Sequence, residues 1–131
     1  MANTIGNSLK WETMKPMPTK RVFSTPVEVG GVIYIVGGCD QRGTPLDSFE
    51  SYDPQKNKWN RLSSMPTKRA GPCVVAVEKK IFVFGGVAVN QQPLDCVELY
   101  DIDTKQWSTK ESLKEPLLGL SAVARGECYR L

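Results

Sequence analysis

The 131-residue sequence predicts an all-β fold built from a repeated unit, and three observations carry this prediction. The pentapeptide MPTKR occurs at residues 17–21 and again at 65–69, an offset of 48 positions. The same offset aligns three Trp residues, two Gly-Gly pairs, two PLD segments and two Tyr-Asp pairs without a gap, which marks a repeat architecture. Nine Pro and eleven Gly residues fit a chain with many turns and are too many for a helical bundle.

Each repeat is expected to contain four short strands, because β-branched and aromatic runs alternate with Gly, Pro and Asp turn signals. The segments VIYIV (32–36) and IFVF (81–84) are apolar on both faces, so both faces need cover. Four-stranded sheets stacked around an axis, as in a β-propeller, provide that cover. The strands are predicted at 21–29, 32–36, 48–52 and 58–62, and in the second repeat at 69–77, 80–84, 96–100 and 106–110.

The order of residues within each repeat resembles the kelch-repeat family over residues 8–131. An apolar strand ends in Gly-Gly, a Tyr-Asp pair follows, and a Trp comes six or seven residues later. These residues are Gly37, Gly38, Tyr52, Asp53 and Trp59, then Gly85, Gly86, Tyr100, Asp101 and Trp107. The resemblance implies a partial kelch-type β-propeller with two complete four-stranded blades (21–62 and 69–110), an orphan N-terminal outer strand (8–13) and a C-terminal half blade (117–131).

We expect a structural role for these motif residues. The Gly pairs end a crowded inner strand, where the backbone passes close to another backbone or takes a positive φ. Each Trp offers a large apolar surface between blades, and the Tyr side chains are expected to pack against Trp and donate through the hydroxyl. Trp11 occupies the same register in the orphan strand.

The repeat is incomplete at both ends of the sequence. The third copy of the connector reads LKEPL (113–117), and strands are expected only at 118–125 and 128–131. A closed propeller needs at least four blades. We therefore expect a truncated form or fragment of a longer propeller. The alternatives are self-association of two copies and pairing with another kelch chain through the open blade edges.

Composition excludes several classes of function. A net charge of +3 is too small for a nucleic-acid-binding face. The sequence has neither a signal-peptide pattern nor a long apolar stretch, which predicts a cytoplasmic protein with no membrane contact. It contains no His, and its four Cys lack a CxxC pair, so we expect neither a metal nor another cofactor.

The candidate binding surface is formed by the two longest loops, 39–47 and 87–95, which differ most between repeats. Long loops on a rigid scaffold commonly recognise partners. The connectors add Lys20, Arg21, Lys68 and Arg69 to the same rim. These cations either attract an acidic peptide or, in the interpretation we favour for the arginines, pair with carboxylates and carbonyls inside the blades. The partner-binding candidates are Asp40, Gln41, Arg42, Asn90, Gln91, Gln92, Arg21 and Arg69.

The cysteines allow one further hypothesis. Cys39 lies close to Arg42 in the sequence, and a nearby cation could make its thiol reactive. An ordinary thiol beside a loop is the favoured alternative. Cys73 and Cys96 fall on predicted strands and are expected in the core.

The kelch resemblance implies a non-catalytic protein–protein interaction module, such as a scaffold, an adaptor or the substrate-recognition part of a ubiquitin ligase. Some kelch propellers are enzymes that act on carbohydrates, and this is the alternative function. The absence of His ligands and of a convincing pair of catalytic carboxylates disfavours it. The expected partners are proteins.

Overall fold

The computed structural model describes residues 8–125 and 128–130, and within these ranges every regular element is a β-strand. Two four-stranded antiparallel sheets are followed by a two-stranded sheet. The all-β prediction and the two-blade organisation are therefore confirmed. The strands are β1 (Thr25–Val29), β2 (Val32–Val36), β3 (Phe49–Asp53) and β4 (Lys58–Arg61) in blade 1, β5 (Cys73–Val77), β6 (Lys80–Phe84), β7 (Val97–Asp101) and β8 (Gln106–Lys110) in blade 2, and β9 (Val123–Arg125) and β10 (Cys128–Arg130).

Both blades are simple meanders in which each strand pairs with the next one along the chain. Residues 48 positions apart occupy equivalent places. In blade 1 Tyr52 is opposite Trp59, and in blade 2 Tyr100 is opposite Trp107. The 48-residue alignment found in the sequence therefore matches the strand pairing of the two blades.

The inner strands β1 and β5 begin four residues later than predicted. The backbone takes a left-handed φ at Phe23 (55°) and at Gly71 (58°), and this conformation interrupts an extended strand. The residues just before the break still form isolated bridges, Val22 with Cys39 and Ala70 with Val87. In the third unit Gly119 has the same conformation (φ 69°), and β9 correspondingly begins at Val123.

The predicted outer strand at 8–13 is absent, although the structure describes these residues. A β-strand requires a neighbouring strand to satisfy its backbone groups, and none of the strands found lies beside this segment. The Trp11 side chain is consequently 95% exposed. The half blade is confirmed as a two-stranded antiparallel sheet, β9 with β10, and Leu131 lies outside the described residues.

A hydrophobic core fills the space between the two blades. It joins Tyr34, Val36 and Phe49 of blade 1 to Ile81 and other residues of blade 2, with Met65 of the connector buried among them. A second core lies between blade 2 and the third unit, where Cys73, Val75, Phe84 and Val97 meet Leu120 and Ala122. Blade 2 is thus covered on both faces, as predicted for the apolar segment 81–84. In the segment 32–36 of blade 1 only Tyr34 and Val36 are buried, so the two-sided cover predicted there is not found in the described residues.

The first Gly of each Gly-Gly pair lies against the connector to the next unit. A Cβ atom at Gly37 would come within 2.5 Å of the Arg69 carbonyl oxygen, and one at Gly85 within 2.6 Å of the Leu117 carbonyl oxygen. Both glycines also have positive φ, 62° and 57°. The close backbone approach predicted for these residues is confirmed, and it brings each loop that follows Gly-Gly onto the next connector.

Candidate functional site

The two long loops and the connectors form one continuous edge of the molecule, which we call the rim (residues 15–23, 39–47, 63–71 and 87–95). Hydrogen bonds tie its parts together. The Arg69 amide donates to the Leu46 carbonyl oxygen (3.0 Å), and the Met65 amide donates to the Asp47 carbonyl oxygen (2.9 Å). The rim is therefore a hydrogen-bonded frame that holds the loops in place.

The same bonds recur one unit further on. The Leu117 amide donates to the Leu94 carbonyl oxygen (3.1 Å), and the Leu113 amide donates to the Asp95 carbonyl oxygen (2.8 Å). The repeated PLD segment is thus the acceptor for the following connector. Sequence reasoning did not assign this role, although the recurrence of PLD at the repeat spacing was its signal.

Arg69 is buried inside blade 2, with a side chain that is 0% exposed. Its Nη2 lies 2.5 Å from Glu98 Oε1, and its Nη1 donates to the carbonyl oxygens of Gly85 (2.9 Å) and Cys96 (3.1 Å). Thr67 Oγ1 donates to the other oxygen of Glu98 (2.8 Å). Of the two interpretations drawn from the sequence, the structure shows pairing with a carboxylate and carbonyls.

Arg21 has the equivalent position in blade 1, and its side chain is also 0% exposed, but its contacts are weaker. Its Nη2 lies 3.3 Å from Glu50 Oε2 and 3.4 Å from the Ile35 carbonyl oxygen, and Thr19 Oγ1 donates to Glu50. Its Nε and Nη1 have no hydrogen-bond partner, whereas Arg69 lacks a partner at Nε alone among its guanidinium nitrogens. Burial lowers the pKa of Arg21, and the attraction of Glu50 opposes this shift. Neither arginine presents its guanidinium group on the rim surface.

Two of the loop candidates, Asp40 and Asn90, accept hydrogen bonds from backbone amides of their own loops. Asp40 Oδ1 accepts the backbone amides of Arg42 (2.9 Å) and Thr44 (3.0 Å). The Thr44 amide bond is the main cause that holds the pKa of Asp40 below its ordinary value. Asn90 Oδ1 accepts the Gln92 amide (3.1 Å), which is the same kind of turn two positions further along the second loop.

The remaining loop candidates are exposed. The side chains of Gln41 and Arg42 in the first loop, and of Gln91 and Gln92 in the second, face solvent on the rim. Lys20 and Lys68 in the connectors are exposed as well. The structure therefore brings the polar loop candidates together on one edge and separates them from the buried arginines.

Concave surfaces lie between these loops. A cavity of about 420 Å³ has walls that include Phe23, Pro45, Val87 and Leu118. A neighbouring cavity of about 430 Å³ is lined by Lys20, Asp40, Gln41 and Arg42. Sequence reasoning missed Phe23 as a rim residue. The available signal was its register, because Gly71 and Gly119 occupy the equivalent positions.

Three cysteines, Cys39, Cys73 and Cys96, are free thiols. Cys73 is buried in the core, as predicted, and burial raises the pKa of its thiol. Cys39 is also buried, which limits access to its thiol. Cys96 is partly buried, and its Sγ accepts from Arg69 Nη2 (3.0 Å).

The remaining features concern metals and membranes. Over residues 8–125 and 128–130, no group of three or more His, Cys, Asp or Glu is arranged to hold a metal ion. That part of the chain also lacks any helix long and apolar enough to cross a membrane.

Comparison with known proteins agrees with the repeat architecture described above. The stretches IVGGCDQRGTPLDSFE and FGGVAVNQQPLDCVELYDID resemble kelch domain-containing protein 8. Kelch domain-containing protein 8B of Rattus norvegicus is 40% identical over 53 residues, which cover 40% of this chain and 15% of the rat protein. The Homo sapiens protein is 40% identical over 48 residues, 37% of this chain and 14% of its own length.

A solved structure shares the fold. The structure of YjhT superimposes with a TM-score of 0.83 over 95% of this chain and 47% of YjhT, at 21% sequence identity. The chain thus spans about half of YjhT, and its alignments cover 15% and 14% of the rat and human kelch domain-containing proteins 8B.

The kelch motif model matches residues 20–66 and 68–114, in the same register as the two blades. Each match contains one strand-ending Gly-Gly pair (37–38 or 85–86), one Tyr-Asp pair and one Trp. With this agreement between sequence pattern, blade topology and family model, the chain belongs to the kelch-repeat family.

Proposed function

We propose that this chain is a non-catalytic protein–protein interaction module, a scaffold or adaptor that contacts its partner with the rim. The observation that carries the proposal is the contrast within the two long loops. Their PLD ends are fixed by hydrogen bonds to the next connector, whereas Gln41, Arg42, Gln91 and Gln92 are exposed between these fixed points. Variable exposed side chains on a rigid frame are the usual form of a recognition surface.

The buried carboxylates support a structural rather than a catalytic assignment. Glu50 and Glu98 lie in different blades, and each is engaged by an arginine and a threonine of its own repeat. A carboxylate committed in this way is poorly suited to acid–base work on a substrate. The proposal therefore sets aside the alternative of an enzyme that acts on carbohydrate.

The proposal includes a larger assembly and a cytoplasmic location. Two guanidinium nitrogens of Arg21 have no hydrogen-bond partner, against one of Arg69, and this difference supports a module that works as part of a larger propeller. Free thiols at Cys39, Cys73 and Cys96 are compatible with a reducing compartment such as the cytoplasm.

A rim variant tests the proposal directly. The rim variant combines four substitutions that remove the exposed side chains: Gln41→Ala, Arg42→Ala, Gln91→Gly and Gln92→Ala. It leaves Asp40, Asn90 and both PLD segments in place. The matched control is Gln55→Ala, Lys56→Ala and Thr104→Ala in the exposed β3–β4 and β7–β8 turns, at the opposite ends of the strands. Partners from a cell extract are captured with each protein and quantified by mass spectrometry.

We expect the rim variant to lose specific partners that the wild type and the control variant both retain. Equal unfolding midpoints in urea would show that the losses do not come from misfolding. Retention of the same partners by the rim variant would contradict the proposal.

A further inference from the structure

One side of blade 1 is apolar but lacks the cover that the same side of blade 2 has. Ile33 and Ile35 lie on the face of β2 turned away from blade 2, and both side chains are half-buried. Their equivalents 48 positions later, Ile81 and Val83, are 0% exposed. All four residues are apolar, so the difference in exposure comes from the neighbouring blade that the second repeat has and the first lacks in the described part of the chain.

The junctions within the chain show what covers such a side. We call the side of a unit that faces the next unit its forward side, and the opposite one its backward side. The forward side of blade 1, with Tyr34 and Phe49, packs in one core with Ile81 on the backward side of blade 2. The forward side of blade 2, with Val75, packs in the same way with Ala122 of the third unit. Each junction therefore joins a forward side to a backward side.

The forward side of the third unit is uncovered. Ala122 and Ala124 pack against blade 2, so Val123 between them points to the other face of β9 and is 65% exposed. Its equivalent in blade 2, Val75, is 7% exposed. Within residues 8–125 and 128–130, no unit covers this forward side or the backward side of blade 1.

The two uncovered sides carry opposite charges at positions that are apolar between the blades. Val29 on the forward side of blade 1 and Ala76 on the backward side of blade 2 both pack into the core that they share. Arg125 occupies the position of Val29 in the third unit, and Glu28 occupies that of Ala76 in blade 1. Both charged residues are exposed, and Glu28 uses one oxygen to accept the Gly31 amide (2.6 Å), which leaves the other for a cation.

The length of a protein with the same fold indicates how many chains such a contact would join. Because 95% of this chain superimposes on 47% of YjhT, two chains have about the length of YjhT. A second chain that continues the same unit-to-unit contact therefore fits the size of that fold.

We propose that two copies of this chain pair head to tail, with the forward side of each third unit against the backward side of the other copy's blade 1. Val123 of one copy packs on Ile33 and Ile35 of the other, and Arg125 pairs with Glu28. The contact continues an interface that forms twice within the chain, and the opposite charges favour a second copy as the occupant. This inference deepens the larger assembly included in the proposed function, and it does not use the exposed rim side chains.

Charge reversal tests the contact on exposed side chains. Sedimentation velocity of the full 131-residue chain should show an equilibrium between a species of 14.5 kDa and one of twice that mass. Glu28→Lys and Arg125→Glu each place like charges at the contact, and each should raise the dimer Kd by about tenfold or more. The double variant exchanges the two charges and should recover most of the lost affinity. An equimolar mixture of the two single variants restores opposite charges at both contacts, so it should also dimerise.

Lys110→Glu and Glu111→Lys are the matched controls. They make the same changes of charge on exposed side chains at the end of blade 2, which is covered on both faces by its own chain. Both controls should leave the dimer Kd unchanged. All four substitutions should leave Tm unchanged at concentrations where the chain is a monomer, because the side chains are exposed.

Several results would overturn the inference. A mass of 14.5 kDa at every concentration would exclude the dimer, and a mass that keeps rising beyond the dimer would exclude a pair of chains. A dimer whose Kd is unchanged by both reversals would place the contact elsewhere. A double variant as weak as the single variants would show that Glu28 and Arg125 do not face each other, whether or not Tm has changed.

Failure of this inference can be distinguished from failure of the proposed function. The rim variant retains Glu28, Val123 and Arg125, so its dimer Kd should equal that of the wild type. If the rim variant dimerises in this way but keeps its cellular partners, the interaction function fails and the inference stands. If it loses those partners while the charge reversals leave the dimer Kd unchanged, the interaction function stands and the inference fails.

Discussion

Tryptophan occupies the same position in all three repeats but has three different environments. Trp107 packs against Phe49 (5.0 Å between ring centroids) and Tyr100 (5.1 Å), and its Nε1 donates to the Ser63 carbonyl oxygen (2.8 Å). Trp59 packs against Tyr52 (4.9 Å), with its Nε1 bonded to the Lys15 carbonyl oxygen. Trp11 is exposed to solvent. The contribution of each Trp therefore depends on how many neighbouring segments surround it.

We predict that Trp107→Ala lowers the free energy of unfolding by about 3 kcal/mol, because it removes an aromatic group shared by both blades. Trp11→Ala should change it by less than about 0.5 kcal/mol, as expected for an exposed side chain. Urea unfolding followed by circular dichroism measures both values. A Trp11 variant as unstable as the Trp107 variant would show that the N-terminal segment packs against the blades in solution.

Tyr52 and Tyr100 show which contacts of a single residue could be predicted from the sequence and which could not. Both Tyr52 and Tyr100 pack against the Trp of the same blade, as predicted from their spacing. Tyr52 donates its hydroxyl to Asn57 Oδ1 (2.5 Å), and Lys105 occupies the position equivalent to Asn57. The packing follows from the shared register, whereas the hydroxyl partner depends on which side chain the turn supplies.

At the scale of the element, the connectors determine how one blade joins the next. Both MPTKR copies bury the terminal Arg against a Glu, and their Thr hydroxyls donate to the same carboxylate. Blade 1 also supplies acceptors to the second connector through Leu46 and Asp47. The repeated pentapeptide is therefore a structural device, which is the interpretation that the repeat spacing favoured.

We predict that Arg69→Met lowers the free energy of unfolding by about 3 kcal/mol, because it leaves Glu98 buried without its cation and removes bonds to two carbonyls. Arg21→Met should cost clearly less, since the Arg21–Glu50 contact is longer and two Arg21 nitrogens have no partner, against one in Arg69. Urea midpoints of the two variants give the comparison. An equal or larger loss at Arg21 would contradict the difference that we infer between the two connectors.

The strands predicted correctly from the sequence are those whose local sequence signals agree with their pairing to neighbouring strands. The strands β2 and β6 were predicted correctly because apolar runs end at Gly-Gly. The inner strands β1 and β5 were predicted too long. The left-handed residue before β1 is Phe23, which carries no local turn signal, whereas the one before β5 is Gly71, and the Gly71-Pro72 pair was a turn signal that the strand prediction did not use. The prediction of a strand at 8–13 was wrong, because strand formation depends on a partner strand that local composition does not reveal.

The candidate site was predicted in part for a similar reason. Loop length and variability located the exposed residues Gln41, Arg42, Gln91 and Gln92. The burial of Arg21 and Arg69 could be proposed but not decided, because it depends on Glu50 and Glu98, which lie 29 positions away in each case. The cavity at Phe23 depends on residues from three repeats, and only the fold brings them together.

At the scale of the whole molecule, the packing between units leaves some apolar surface uncovered. Blade 2 is covered on both faces, whereas Val123 in the two-stranded sheet is 65% exposed. A two-stranded sheet with an open edge is marginally stable by itself and offers unpaired backbone groups to another strand. The third unit is therefore one described region that is suited to association.

We predict that the purified chain associates reversibly as its concentration rises from the micromolar to the millimolar range. Light scattering coupled to size exclusion should then give an average mass that increases above 14.5 kDa. Val123→Lys should shift the equilibrium toward the monomer, because a charge on an edge strand opposes pairing with another strand. Val89→Lys adds the same charge on a rim loop and should have little effect. A mass of 14.5 kDa at every concentration, together with cooperative unfolding, would show that the exposed surface of the third unit does not drive self-association.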